Sequence, residues 1–307
     1  IQIVRGCFGG CTFCSLSAHQ GRIIQSRSEA SVLAEIDRIA GVRKPKFGGT
    51  ISDLGGPTAN MYRMGCSRPE IERRCRRASC LHPTICKLLR TDHGPVIRLL
   101  GAARRRPGVK QVYVASGVRM DLVRRSKAYM SHLARYHTGG HLKVAPEHVD
   151  PAVLRLMRKP SVECFEAFAR QFAEVSHAAG RRQFLVPYFM AGHPGSTLES
   201  MLEVALFLKR TGYRVEQVQE FLPGPFDVAT CMYHTGIDPA TGEEIPVARG
   251  QRERRLQKAL ILFRQPENHG LVREALETLG RRDLIGDGPG CLISARKPRE
   301  SRWTKEN

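Results

Sequence analysis

The chain has 307 residues, with 49 lysines and arginines against 29 aspartates and glutamates, and a formal net charge of +20. A chain this long can bury a substantial core, no stretch approaches the ~20 apolar residues of a membrane span, and no secretory signal is visible. Ten cysteines in a chain that needs no staples suit a reducing compartment, and the expected location is the cytoplasm.

In chain order, Ile1 to Val4 reads as a strand leading into a cysteine-rich loop. Ser28-Glu29 offers a helix start, after which Val32, Leu33, Ile36, Ile39 and Ala40 recur at helical spacing up to Gly41. Thr50 to Leu54, Gln111 to Ala115 and Leu142 to Ala145 are β-rich runs, each closed by a turn signal. Asp150-Pro151 fits an N-cap followed by the first helical residue. A long helix fits Ser161 to Ala179, and Gln183 to Met190 is strand-like. Ser196-x-x-Glu199 reads as a capping box before a helix that ends at Gly212. Val215 to Phe221 is a sixth strand, and Ala248 to Leu279 is helical. Strands alternating with helices predict an α/β fold with a parallel sheet. Six such units can curl into a partial (β/α)6 TIM-like barrel, with the reactive site at the carboxyl ends of the strands.

The first cysteine group is Cys7, Cys11 and Cys14, spaced C-x3-C-x2-C. Three thiolates on one loop can hold three irons of a cubane cluster and leave the fourth iron open, whereas a closed cluster takes four cysteines. Gly9 and Gly10 are expected to allow a tight turn with positive φ. A zinc site is the competing reading, but zinc knuckles pair their cysteines differently. The second group is Cys66, Cys75, Cys80 and Cys86, with Arg73, Arg74, Arg76 and Arg77 among them. Four thiolates there suit a fully ligated second [4Fe–4S] cluster or an all-thiolate zinc site, with His82 an alternative ligand. Cys164, Cys231 and Cys291 are isolated.

The first motif resembles that of the radical S-adenosylmethionine (SAM) superfamily. Ile51 to Tyr62, Leu142 to His148, Val186 to Phe189 and Leu256 to Leu260 resemble hallmarks of its YgiQ family, a likeness that runs from the start to about Ala295. The resemblance implies a radical SAM enzyme with a partial (β/α)6 barrel of the radical SAM type and a helical C-terminal extension. The implied cofactors are a [4Fe–4S] cluster on Cys7, Cys11 and Cys14, with SAM on the open iron. It implies reductive cleavage of SAM and hydrogen abstraction from an unidentified substrate, fed by a one-electron donor such as a flavodoxin or ferredoxin. Phe13 is implied near the adenine, Gly55 and Gly56 at the SAM amino group, and Glu147 and His148 at the ribose or carboxylate. Gly192 and Gly195 are implied where backbone meets the adenine. Gln217 and Gln219 share a strand face and are expected to contact substrate or to occupy polar core positions.

The expected organisation is a barrel over 1–246 with a cysteine-rich insertion at about 58–92, a helical extension over 247–295, and a disordered basic tail over 296–307. The start at Ile1, within a strand, leads to the expectation that an upstream domain is missing. The net positive charge favours polyanionic partners. Two further readings stand beside the enzyme: an RNA-modifying radical enzyme, and a non-catalytic iron–sulfur or zinc binding module.

Overall fold

A computed structural model describes residues 1–215 and 217–296; the expected tail, apart from Arg296, lies outside the described residues. The chain divides into two compact units. The first comprises Ile1–Pro146, Met157–Pro187 and Gly224–Asp227; the second comprises Glu147–Leu156, Tyr188–Pro223 and Val228–Asn307. Among the described residues no helix is long and apolar enough to cross a membrane.

In the first unit the strands at Thr50 and Gln111 are shorter than the β-rich runs predict, and the pairings up to Val112 are small and separate rather than one continuous parallel sheet. Strand β1 (Val4–Arg5) pairs antiparallel with β2 (Gln25–Ser26). Strand β3 (Thr50–Ile51) has its parallel partner far along the chain, in Gln111–Val112. Strands β4 (Gly65–Cys66) and β5 (Leu89–Arg90) form an antiparallel ribbon across the cysteine-rich segment. Gln111–Val112 is then β6, the expected run Gln111 to Ala115 cut to two residues. The expected strand at Ile1 survives as a parallel bridge from Gln2 to Gly55, with Ile3 N donating to Gly55 O at 2.7 Å and Gly55 N to Ile1 O at 3.1 Å. Backbone polar groups must find partners somewhere, and here the turn after Thr50–Ile51 finds them on the segment that leads into the first cysteine loop.

The helices follow their local signals more closely. Helix Glu29–Ala40 starts at Ser28, whose side chain accepts from Ser31 N, and buries Val32 and Ile36. Helix Val162–Ala178 buries Phe165, Phe168 and Phe172, which recur at helical spacing and form one face. Helix Gly94–Arg104, helix Lys127–His132 and the π-turn Leu133–His137 were not expected.

Strands β7 (His141–Glu147) and β8 (Phe184–Ala191) begin in the first unit and end in the second. Strand β8 pairs in parallel with β9 (Gln219–Glu220) through Met190–Gln219 and Ala191–Glu220. Among the described residues of the expected sixth strand only these two are strand, and Gln217 and Gln219 are exposed, not core. Helix Leu198–Thr211 supplies the main apolar face of the second unit, with Met201, Leu202, Ala205 and Leu208 buried, and stops at Gly212 with φ of 75°. Its capping box lies one residue later than expected: Thr197 is the cap and Ser200 the reciprocating residue. The expected helix over Ala248 to Leu279 is two helices, Gln251–Ile261 and His269–Thr278, broken at a short turn over Pro266–Asn268. Helix Gln251–Ile261 packs on both Leu198–Thr211 and His269–Thr278.

Candidate functional site

The first cysteine group lies in a loop tied down on several sides within the first unit. Cys7 N donates to Gly21 O at 3.0 Å, Thr12 N to Met157 O at 3.2 Å and Cys14 N to Cys11 O at 3.3 Å. Ser79 Oγ donates to Gly9 O at 2.6 Å and in turn accepts from Leu81 N and His82 N. Gly10 meets the expectation of positive φ and Gly9 departs from it. Gly10 has φ of 62°, and a Cβ there would stand 2.1 Å from the Ala78 carbonyl oxygen. Gly9 does not need positive φ; a Cβ there would stand 3.2 Å from Cys7 Sγ and 3.4 Å from Arg119 Nη1, filling the space beside the thiols.

All three sulfurs already accept hydrogen bonds, Cys14 from the Leu16 N–H. Gly9 N donates to Cys7 Sγ at 3.4 Å, and Arg119 Nη1 to Cys11 Sγ at 3.5 Å. Arg119 was not singled out from sequence. It is nearly buried, paired with Asp121 at 2.8 Å, and its backbone is clamped by Asn60 through both Oδ1 and Nδ2. Burial works against the Arg119 charge, but Asp121 and the thiols of Cys11 and Cys7 outweigh it, so the guanidinium is held charged. Burial also pushes the Cys7 thiol up, against the Gly9 N–H and Arg119. Burial raises Cys14 to about 11, with Cys11, Cys7 and Asp227 adding to it. Asp227 itself is raised by burial, with His19 opposing.

These residues suit a cluster. Thiolates are ligands only once deprotonated, and N–H donors and a fixed cation aimed at sulfur offset the charge that metal loading brings. Among the described residues no three His, Cys, Asp or Glu side chains converge as ligands of a single ion. A single-ion site needs that convergence at ~2–2.3 Å, whereas a cubane spreads its thiolates over separate corners.

Gly55 and Gly56 belong to the same unit and border the entering segment. A Cβ on Gly55 would meet Ser116 Oγ at 1.9 Å, and one on Gly56 would meet Val4 O at 2.6 Å. Gly56 N donates to Ser116 Oγ at 3.2 Å. The two glycines are thus required by close approach, since neither has positive φ. Phe13 is half-buried.

Glu147, His148, Gly192 and Gly195 lie in the second unit. Glu147 is buried and has φ of 70°, a left-handed conformation unusual for a non-glycine residue. His148 is fully buried; Nδ1 accepts from Asp150 N at 3.0 Å, and Nε2 faces Met201 Sδ at 3.2 Å. Asp150 then caps helix Pro151–Met157, accepting from Ala152 N and Val153 N, so the expected cap is present. Gly192 has φ of 73° and donates its N–H to Gln257 Oε1 at 3.0 Å. Gly195 has φ of 95°, and a Cβ would strike Leu156 Cδ1 at 2.2 Å. His193, which sequence reasoning passed over within the same turn, is fully buried, held to Pro194 O at 2.7 Å and packed edge-on against Phe221.

Sequence comparison places this arrangement. The radical SAM superfamily profile matches residues 1–208, and a domain of unknown function, DUF3362, matches residues 216–306. A UPF0313 protein of Vibrio vulnificus strain YJ016 is 51% identical over 96% of this chain, and one of Bradyrhizobium diazoefficiens is 49% identical over 97%. One of Pseudomonas aeruginosa is 47% identical over 97%. The chain belongs to the radical SAM superfamily and, within it, to the YgiQ-like UPF0313 family. It spans 39%, 45% and 40% of the length of these relatives. Among solved structures, the radical SAM methyltransferase TsrM of Kitasatospora setae, with cobalamin and a [4Fe–4S] cluster bound, aligns at a TM-score of 0.52 and 16% identity, covering 82% of this chain and 43% of that one. That likeness speaks to the α/β fold alone.

Proposed function

We propose that the chain is the catalytic part of a radical SAM enzyme, with Cys7, Cys11 and Cys14 holding a [4Fe–4S] cluster. The observation that carries this reading is the pair of donors already aimed at the thiols: Gly9 N–H on Cys7 and the Arg119 guanidinium on Cys11. When bound, the cluster and SAM supply a one-electron cleavage of SAM whose adenosyl radical takes hydrogen from the substrate. The chain's own residues hold and tune that chemistry. Arg119, fixed by Asn60 and Asp121, keeps a positive charge beside the cluster ligands. Gly9 leaves room next to Cys7 Sγ, and Gly10 lets the loop pass under Ala78. Gly55, whose N–H and carbonyl are taken up by Ile1 and Ile3, and Gly56, whose N–H is taken up by Ser116, are assigned to the amino acid end of SAM through the Gly56 carbonyl and the absence of side chains, Phe13 and the turn Gly192–Gly195 to the adenine, and Glu147 to the ribose. His148, with both ring nitrogens engaged in its own unit, is given a positioning role on the Glu147 turn.

The finer architecture we assign is the partial (β/α)6 barrel over 1–246 with the helical extension over 247–295, a reading that the superfamily match over residues 1–208 supports. The donor is assigned as a low-potential one-electron carrier of the flavodoxin or ferredoxin class. After anaerobic reconstitution and reduction with dithionite, the chain is expected to convert SAM to 5′-deoxyadenosine. The Cys7→Ala, Cys11→Ala, Cys14→Ala triple variant should make none; production at the parent rate would overturn the reading.

A further inference from the structure

The segment between β4 and β5 holds a second group of thiols that the proposed reaction does not use. Cys66, Cys75, Cys80 and Cys86 are separated by up to twenty positions, yet all four line one cavity of about 490 Å3 in the first unit. None is in a disulfide.

Each cysteine is anchored through its backbone, so the walls of the cavity are set by structure that does not involve the thiols. Cys66 N donates to Glu72 Oε1 at 3.2 Å, and Cys66 pairs with Leu89 across the ribbon. Cys75 N donates to Glu72 O at 3.3 Å, and its carbonyl accepts from Arg22 Nη2 at 2.8 Å. Cys80 N donates to Phe8 O at 3.0 Å, Cys86 N to Cys80 O at 2.8 Å, and Leu89 N to Cys86 O at 2.9 Å. Arg77 ties the intervening loop together by donating to Ser79 O at 3.1 Å and Thr84 O at 3.1 Å. The backbone bonds of these cysteines leave their side chains as the groups available at the cavity wall.

We propose that Cys66, Cys75, Cys80 and Cys86 bind a second [4Fe–4S] cluster, one with a protein thiolate on every iron. Three observations select this ligand class. The count is four, the number that closes a cubane. The four cysteines line a cavity rather than closing on one point, as four thiolates at ~2.3 Å from one zinc ion would, and among the described residues no three ligand-type side chains converge on a single ion. The charge is right, because a cubane with four thiolates is anionic, Arg22, Arg73 and Arg77 line the cavity against the single carboxylate of Glu72, and the Arg22 and Arg77 charges act on the Cys80 thiol. Phe8, the residue after Cys7, lines the same cavity and accepts the Cys80 N–H, so the site abuts the first cysteine loop. Nothing in this proposal depends on the first cluster being catalytic.

The test is the metal content and spectroscopy of the full chain, reconstituted anaerobically with ferrous iron and sulfide. The parent chain is expected to hold ~8 iron atoms, as two cubanes require, and its Mössbauer spectrum should contain an all-cysteinyl [4Fe–4S] component. The Cys7→Ala, Cys11→Ala, Cys14→Ala variant should keep ~4 iron atoms, with a dithionite-reduced paramagnetic signal that added SAM leaves unchanged. The Cys66→Ser, Cys75→Ser, Cys80→Ser, Cys86→Ser variant should keep the other cubane, with a signal that SAM shifts. A parent chain with only ~4 iron atoms, a folded first-group variant without iron, or zinc in place of the second cluster in the parent chain would each overturn the proposal. The parent count stands even where a variant fails to fold. Loss of the SAM-sensitive signal alone would count against the proposed function and leave the second site intact.

Discussion

Arg119 donates to Cys11 Sγ at 3.5 Å across a sequence separation of 108 residues. The same guanidinium pairs with Asp121 at 2.8 Å, and both side chains are almost fully withdrawn from water. Removing one member of a buried pair strands the other, at a cost of about 3–5 kcal/mol. Arg119→Ala in the metal-free chain should therefore lower the urea midpoint strongly, and Arg119→Ala with Asp121→Asn should recover much of the loss. If the double variant is no more stable than the single one, Asp121 is not the stranded partner. In the reconstituted chain, loss of this cation should move the reduction potential of the cluster on Cys7, Cys11 and Cys14 in the negative direction, as read by a spectroscopic redox titration.

Gly10 and Gly21 make a matched comparison. Both have positive φ, at 62° and 83°, but a Cβ at Gly10 meets the Ala78 carbonyl at 2.1 Å while one at Gly21 meets nothing within 4 Å. Gly21→Ala should cost only the left-handed backbone penalty of about 1–2 kcal/mol. Gly10→Ala should cost more and should lower iron uptake, because the loop has to move off Ala78. Equal melting temperatures and equal iron content for the two variants would contradict this account.

The helix Leu198–Thr211 offers a sharper test of its own start. Thr197 and Ser200 form the reciprocal cap, while Ser196 Oγ is buried with no hydrogen-bond partner among the described residues. Thr197→Ala should destabilise by about 1 kcal/mol, whereas Ser196→Ala should be neutral or slightly stabilising. Urea midpoints in the opposite order would move the cap to where the sequence pattern first suggests it.

Burial lowers His148 and His193 to about 4, with Asp150 opposing at His148. At His193 the Pro194 carbonyl opposes this, and His148 adds to it. In the unfolded chain both return to about 6.5, so between these limits the unfolded state takes up protons that the folded state refuses. The stability held by neutral imidazoles is therefore complete above about pH 6.5 and drains away as pH falls toward 4, by roughly 3 kcal/mol per ring at most. The metal-free chain should show a lower urea midpoint at pH 5 than at pH 7.5, and His193→Gln should flatten that slope. A midpoint that rises on acidification would refute the assignment.

Much of the helical framework was legible because its signals are local. Ser28 and Gly41 bound the helix Glu29–Ala40, and Phe165, Phe168 and Phe172 mark the buried face of Val162–Ala178. The capping box slipped by one residue because Ser196 and Thr197 both have the chemistry of a cap, and only the backbone geometry chooses between them. The strands at Thr50, Gln111 and Val215 were overestimated, while those at Leu142 and Gln183 reached or exceeded the expected length, because a β-rich run states a preference and a strand needs a partner. Thr50 and Ile51 find Gln111 and Val112 and Leu54 still donates to Tyr113 O, but Gly55 turns to Ile1 and Ile3. The break between Gln251–Ile261 and His269–Thr278 comes where Pro266 removes a donor.

By itself the sequence determined which atoms are available for metal chemistry: three thiols on one loop, four more on another, and the glycines that let backbone come close to them. Spacing along the chain carries that information, because a short loop can reach a metal only with the residues it contains. The tertiary structure decided what surrounds those atoms. It brought Arg119 to Cys11 and laid Ser79 under Gly9. It also gathered Cys66, Cys75, Cys80 and Cys86 around one cavity. Those relationships join residues from distant segments, and burial and charge pairing act through space rather than along the chain.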